Sequence, residues 1–291
     1  MANTLSVRAS WVSIDDTVRE SGSERDRNAL DLVVLIHGFH NPAGKASKSY
    51  DKFRQALNKV SEGGEKDLGA IWEYYWPGDH PSRPISAVTY PIRVGIARTA
   101  GELLAREWLA HREPHQRVHI VAHSLGCRVA LEAIRTIRKE EEMGRYHGAR
   151  VQRVFLLAAA VPASLCIESR EWFSRPLASS TEHVFYSRKD RVLQGAFPLG
   201  QLLVGRESGP AVGRNGQPGG SRWASRTDTG LGHSRYWPST SVTRKIHDLT
   251  RQGARREIPG RQLPAAANSD RPRPPATQEL TRRRLRGQGP P

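Results

Sequence analysis

The chain has 291 residues, 37% of them hydrophobic, and a formal net charge of +16. This is enough apolar material for one large globular domain. Two cysteines are too few for the disulfide framework of a small secreted protein. No apolar run approaches the ~18 residues of a membrane helix, and the N-terminus lacks the apolar core of a secretory signal. We therefore expect a soluble, cytoplasmic protein.

The positive charge is concentrated at the C-terminus. Residues 251–291 contain ten Arg, three acidic residues, seven Pro and no aromatic residue. Such a segment buries too little apolar surface to offset the entropy lost on ordering, so we predict a folded domain over residues 1–250 and a disordered basic tail over 251–291. The tail is either a plain solvated segment or a contact for acidic partners. It has no aromatic residues for base stacking, so no specific nucleic-acid binding is predicted.

Strand and helix patterns alternate along the chain. Apolar runs predict strands at 32–36, 71–76, 117–122, 151–158 and 183–187, a weaker one at 223–227 and an early one within 5–14. Helical spacing predicts helices over 50–60, 96–108 and 125–141. This order indicates βαβ units, and so an α/β fold with a mostly parallel sheet and helices on both faces. The residues that directly follow each strand are then the candidates for chemistry.

A serine follows the third of these strands, where the next helix begins. The segment Ala122-His123-Ser124-Leu125-Gly126 has small residues two before and two after Ser124, as a tight strand-to-helix turn requires. Ser124 is therefore a candidate nucleophile. The helix N-terminus, with the Leu125 amide, would stabilise negative charge on a reacting oxygen. The alternative is that Ser124 only caps the helix, because serine is a good N-cap residue.

The loop after the first strand, His37-Gly38-Phe39, is a candidate for the second amide of an oxyanion hole. In enzymes with a nucleophile elbow, an amide of this loop assists the one that follows the nucleophile. Phe39 is the candidate for that amide. For the His37 side chain we expect a structural role, a hydrogen bond that holds the loop.

Candidates for the acid and the base lie later in the chain. Asp190 follows the fifth strand by three residues, and His233 lies on a glycine-flanked loop. The order Ser124, Asp190, His233 is the one found in enzymes with a nucleophile elbow. Asp228 and Asp248 are alternatives for the acid, but neither follows a convincing predicted strand.

Together these segments resemble the α/β-hydrolase superfamily, in particular a bacterial subgroup of uncharacterised serine hydrolases. The likeness is carried by LVVLIHGFHN, YYWPG, VHIVAHSLGCRVALEAI, VFLLAAAVP, YSRKDRVL and GHSRYW, which span residues 32–237. The turn around the serine has alanine where the family usually has glycine. The resemblance implies Ser124 as nucleophile, His233 as base, Asp190 as acid, and oxyanion amides at Phe39 and Leu125.

The expected activity is that of a serine hydrolase, carboxylesterase- or lipase-like, acting on the acyl bond of a small molecule. No ligand spacing for a metal and no glycine-rich nucleotide motif is present in the sequence, so no cofactor is predicted. The alternative is a non-catalytic binding protein on the same scaffold, because a fold does not determine function. Residues 162–176 are expected to form either a cap over the site or a short packing helix.

Overall fold

The computed structural model describes residues 2–10, 13–39, 42–78, 86–168, 181–202, 209–219, 221 and 225–256. These residues form eight strands: β1 (Asn3–Arg8), β2 (Ile14–Ser21), β3 (Asp31–Ile36), β4 (Ala70–Tyr75), β5 (Arg117–His123), β6 (Arg150–Leu157), β7 (Thr181–Tyr186) and β8 (Ser225–Asp228). They make one sheet in the order β2-β1-β4-β3-β5-β6-β7-β8. Only the β1–β2 pair within this sheet is antiparallel. The predicted α/β-hydrolase fold, with its mostly parallel sheet, is confirmed.

The helices that accompany the sheet are α1 (Glu24–Arg27), α2 (Ala43–Val60), α3 (Ser86–Leu103), α4 (Gly126–Glu142), α5 (Ala163–Glu168), α6 (Arg191–Leu202), α7 (Val212–Asn215) and α8 (Thr240–Arg256). A π-helical turn (Leu104–Trp108) and a 3-10 turn (Leu109–His111) extend α3, and a 3-10 turn (Gly64–Asp67) follows α2. Helix α3 packs against α4, and α2 packs against α8. None of the described helices has the length and apolar character needed to cross a bilayer.

The central strands are buried almost throughout because they lie between neighbours and carry runs of β-branched and aliphatic residues. Their register brings the carboxyl ends level: Ile36 at the end of β3 pairs with Ala122, and His123 at the end of β5 pairs with Leu157. Residues that follow these strands therefore meet at one edge of the sheet. This edge includes Ser124 and the loop that begins at His37.

Several elements differ from the sequence predictions. The early strand expected within 5–14 is two strands, β1 and β2. Helix α3 begins at Ser86, ten residues before the predicted start at 96, and contains Pro91. Helices α6 and α8 were not predicted, and α8 continues to Arg256, past the predicted end of the folded domain at 250. Residues 257–291, most of the predicted tail, lie outside the described residues.

Two further segments of the chain are described only in part. Within the glycine-rich stretch 205–221, α7 forms a single short helix, and residues 203–208 lie outside the described residues. In the segment 162–176, α5 covers the first part, and residues 169–180 lie outside the described residues. The choice between a cap and a packing helix in that segment stays a prediction.

Candidate active site

Ser124 occupies a sharp turn between β5 and α4. Its φ angle is +54°, in the left-handed region that L-residues other than glycine rarely adopt. Two backbone hydrogen bonds join it to β6 and to the segment that follows β6. The Ser124 amide donates to the carbonyl of Leu157 at 2.9 Å, and the amide of Ala160 donates to the carbonyl of Ser124 at 3.1 Å. The turn therefore has the strained strand-to-helix form that the small flanking residues predict.

Two glycines allow this turn to lie against the loop after β3. A Cβ added to Gly126 would lie 2.3 Å from the carbonyl oxygen of His37, and one added to Gly38 would lie 2.8 Å from the Cβ of Ser124. Neither position has room for a side chain. The beginning of α4 and the loop after β3 are thus in direct backbone contact.

The serine, histidine and aspartate named from the sequence lie within hydrogen-bonding distance of each other. The Nε2 of His233 is 2.9 Å from the Oγ of Ser124, and its Nδ1 is 2.8 Å from the Oδ2 of Asp190. A carboxylate only accepts hydrogen bonds, so Nδ1 carries the ring proton and Nε2 is left to accept the serine hydroxyl proton. Residues separated by 109 and 43 positions in the chain thus form one continuous relay.

Asp190 is fully buried at the N-terminus of α6. Its second oxygen, Oδ1, accepts a hydrogen bond from the amide of Leu193 at 3.0 Å, so both carboxylate oxygens have partners. The two alternative acids are engaged elsewhere. Asp228, which does end a strand, accepts from the amide of Gly230, and Asp248 contacts its neighbour His247 on α8.

Ser124 does not cap helix α4. The N-cap position of α4 is Leu125, and no side chain caps the helix there. The Leu125 amide is buried beside the nucleophile, and no acceptor for it is found in the described part of the chain. A buried amide that is left unpaired at a helix N-terminus is suited to receive an anionic oxygen.

The loop after β3 is held by hydrogen bonds around His37. Its ring Nδ1 donates to the carbonyl of Gly38 at 2.9 Å, and its carbonyl accepts from the indole of Trp76 at 2.8 Å. Its amide donates to the hydroxyl of Tyr50, again at 2.8 Å. The structural role expected for His37 is therefore present, and Phe39 follows directly on this rigid segment.

His123, the residue before the nucleophile, belongs to the site and was not singled out from the sequence. Burial lowers its pKa to about 3, with a smaller contribution in the same direction from His233. Its Nε2 lies 2.8 Å from the backbone carbonyl oxygen of His233, and the two rings are 5.0 Å apart. In the sequence it is one more residue at the end of a buried strand, and nothing local marks it.

A second serine–histidine pair exists on β7 and β8, where the Nδ1 of His183 is 2.6 Å from the Oγ of Ser225. The other ring nitrogen of His183, Nε2, lies 3.4 Å from the guanidinium of Arg153. In His233 the ring nitrogen that does not face the serine contacts the carboxylate of Asp190 instead. Burial, and after it the charge of Arg153, lowers the pKa of His183 to about 4. A base that resists protonation this strongly is poorly suited to take a proton from a serine.

The chain matches a protein-family model over part of its length and has weak likeness to several solved structures. A family model described as an alpha/beta hydrolase of unknown function (DUF900) matches residues 96–204. No curated protein matches the chain. Among solved structures, an acetyl ester-xyloside bifunctional hydrolase from Caldicellulosiruptor lactoaceticus aligns at 9% identity and a TM-score of 0.39, over 82% of this chain and 87% of that one.

Two further solved structures are of the same kind. A fungal esterase from Rhizomucor miehei aligns at 13% identity and a TM-score of 0.37, over 82% of this chain and 78% of that one. Esterase B from Lactobacillus rhamnosis aligns at 12% identity and a TM-score of 0.37, over 82% of each chain. The family match over residues 96–204 agrees with the α/β-hydrolase fold.

Proposed function

We propose that this protein is a serine hydrolase that cleaves the ester or a related acyl bond of a small molecule through an acyl-enzyme. The observation that carries the proposal is the relay of two hydrogen bonds, 2.9 Å and 2.8 Å long, from Ser124 through His233 to Asp190. A serine hydroxyl is a weak nucleophile by itself and needs an oriented base to take its proton. The relay provides that base and fixes its tautomer.

In the proposed reaction the Oγ of Ser124 attacks the substrate carbonyl while its proton passes to the Nε2 of His233. The imidazolium that forms is stabilised by the buried Asp190 carboxylate. The carbonyl oxygen becomes an oxyanion, which we assign to the amides of Leu125 and Phe39. When the bond to the leaving group breaks, His233 returns the proton to the leaving oxygen.

Water completes the cycle by the same steps. His233 takes a proton from the water, whose oxygen adds to the acyl carbon of the Ser124 ester. The tetrahedral adduct then collapses, the bond to Oγ breaks, and Ser124 recovers its proton from the imidazolium. A carboxylic acid and the free enzyme result, and every proton transfer uses the same imidazole.

The test is labelling with a fluorophosphonate probe, which reacts with activated serines. We expect the wild type to be labelled and Ser124→Ala not to be. Ser225→Ala is the matched control, because Ser225 also faces a histidine at hydrogen-bonding distance, and we expect this variant to be labelled like the wild type. Loss of labelling in Ser225→Ala but not in Ser124→Ala would assign the chemistry to the other pair.

The same experiment separates the enzyme from a binding protein on the same scaffold. A folded wild type that neither reacts with the probe nor hydrolyses p-nitrophenyl esters would reject the proposal and favour the non-catalytic alternative. Folding is checked by circular dichroism, so that a lack of labelling is not mistaken for a lack of structure.

A further inference from the structure

His123 is the last residue of β5 and directly precedes Ser124. Its side chain is buried, and its ring lies against the loop that carries the base, 5.0 Å from the ring of His233, 6.1 Å from that of Tyr236 and 6.0 Å from that of Trp237. One residue therefore reaches from the nucleophile turn to the loop that follows β8. None of the proposed chemical steps uses its ring.

The hydrogen bond from His123 has a defined direction. The Nε2 atom faces the backbone carbonyl oxygen of His233 at 2.8 Å, and a carbonyl only accepts, so Nε2 carries the proton. Burial lowers the pKa of His123 to about 3. The ring thus stays neutral and in one tautomer throughout the pH range in which a histidine base works.

This hydrogen bond acts on the residue whose position matters most for the relay. The imidazole of His233 must meet Ser124 and Asp190 at the same time, at 2.9 Å and 2.8 Å. At the start of its loop, the amide of Thr229 donates to the carbonyl of Tyr186 at 2.9 Å. At His233 itself, the hydrogen bond from His123 joins the backbone of this loop to the end of β5.

We infer that His123 is a positioning residue for the serine hydrolase reaction: its Nε2–H fixes the backbone of His233 to the end of the strand that directly precedes the nucleophile. This inference rests on the proposed function. Because His123 and Ser124 are adjacent in the chain, the base is held by the residue next to the nucleophile. Loss of the hydrogen bond lets the imidazole move relative to the serine, and misplacement of a reacting group by about 1 Å costs about 100-fold in rate.

The test uses three substitutions that separate the hydrogen bond from the volume of the side chain. His123→Phe keeps a ring and removes the donor. His123→Gln places an amide N–H three bonds from Cβ, the same number as in histidine Nε2, whereas His123→Asn places it one bond short. We measure kcat and KM for p-nitrophenyl butyrate, the rate of fluorophosphonate labelling, and thermal unfolding by circular dichroism.

We expect His123→Phe to lose about 10- to 100-fold in kcat, with KM within about twofold of the wild type, because the His123 ring is buried and takes part in none of the proposed contacts with the substrate. His123→Gln should recover most of the loss and His123→Asn should not. If the phenylalanine variant does not fold, the comparison of glutamine with asparagine decides. The matched control is His183→Phe, another buried histidine that loses a hydrogen bond, to Ser225; it should lose stability but keep kcat.

The inference is overturned if a folded His123→Phe keeps kcat and the labelling rate within twofold of the wild type, or if the glutamine and asparagine variants are equally active. It is also overturned if His183→Phe loses kcat to the same extent, since the effect would then follow stability. These outcomes differ from failure of the proposed function, which would appear first as a wild type that is not labelled.

Discussion

Gly126→Ala tests whether close contact between α4 and the loop after β3 is required for activity. A Cβ at this position would lie 2.3 Å from the carbonyl oxygen of His37 and 2.9 Å from that of Ile36, whereas ordinary contacts begin at 3.4 Å. Both obstacles are backbone atoms of the central sheet and its loop, and they cannot rotate away. The two segments must therefore separate by about 1 Å, at a cost typical of overpacking, about 1–3 kcal/mol.

The catalytic effect should exceed the effect on stability. The Leu125 amide moves with α4 and the Phe39 amide moves with the loop, so separating the two segments changes the distance between the proposed oxyanion donors. Loss of one such donor costs about 10²–10³-fold in kcat. We expect the loss of kcat in Gly126→Ala to lie in this range while the protein remains folded.

The measurement is kcat for p-nitrophenyl butyrate together with thermal unfolding. Gly95→Ala is the matched control, because Gly95 is an exposed glycine within α3 and a Cβ there meets no atom within 4 Å. It should keep full activity and gain about 0.5–1 kcal/mol from the lower backbone entropy of the unfolded chain. A Gly126→Ala variant with kcat within threefold of the wild type would refute the reasoning.

Three further predictions concern the acid, the buried histidines and the loop after β3. Asp190→Asn should lower kcat by about 10⁴-fold by favouring the wrong tautomer of the base, whereas Asp228→Asn should leave it near wild type; kinetics on both variants test this. Burial lowers the pKa of His123 to about 3 and that of His183 to about 4. Both values lie below the value of about 6.5 expected in the unfolded chain, so the unfolded chain binds protons more readily than the folded one. We therefore expect the free energy of unfolding to be highest above pH 6.5 and to fall towards pH 4, by up to about 2.7 kcal/mol per pH unit. Urea unfolding at pH 7, 6 and 5 measures this, and a midpoint independent of pH would contradict it. Tyr50→Phe removes a buried hydroxyl that bridges the amide of His37 and the carbonyl of Tyr74. It should lower the free energy of unfolding by about 1–3 kcal/mol, measured by thermal or urea unfolding. An unchanged midpoint would show that this hydroxyl does not stabilise the loop after β3.

The central strands could be predicted because their burial on both faces leaves continuous apolar runs in the sequence, as in β3 and β5. The polar strand β2, with the sequence IDDTVRES, lies at the edge of the sheet and is partly exposed, so no apolar pattern marks it. The start of α3 was missed because Pro91 lies inside the helix, where proline usually predicts an end. For α8 a signal was present, since Val242 and Ile246 are buried at helical spacing.

The site shows the same division between local and long-range information. Ser124 could be predicted because its turn needs small residues at fixed positions in the neighbouring sequence, and the close contact at Gly126 shows why. His123 satisfies no such local requirement. Its hydrogen bond joins it to a residue 110 positions away, and any buried residue would fit the strand pattern equally well. Reactive groups that depend on a strained turn therefore leave a sequence signature, whereas the contacts that align one reactive segment with another are specified only by the tertiary structure. This is why the variants of His123 test the model of the site more severely than replacement of Ser124, whose importance the sequence alone already predicts.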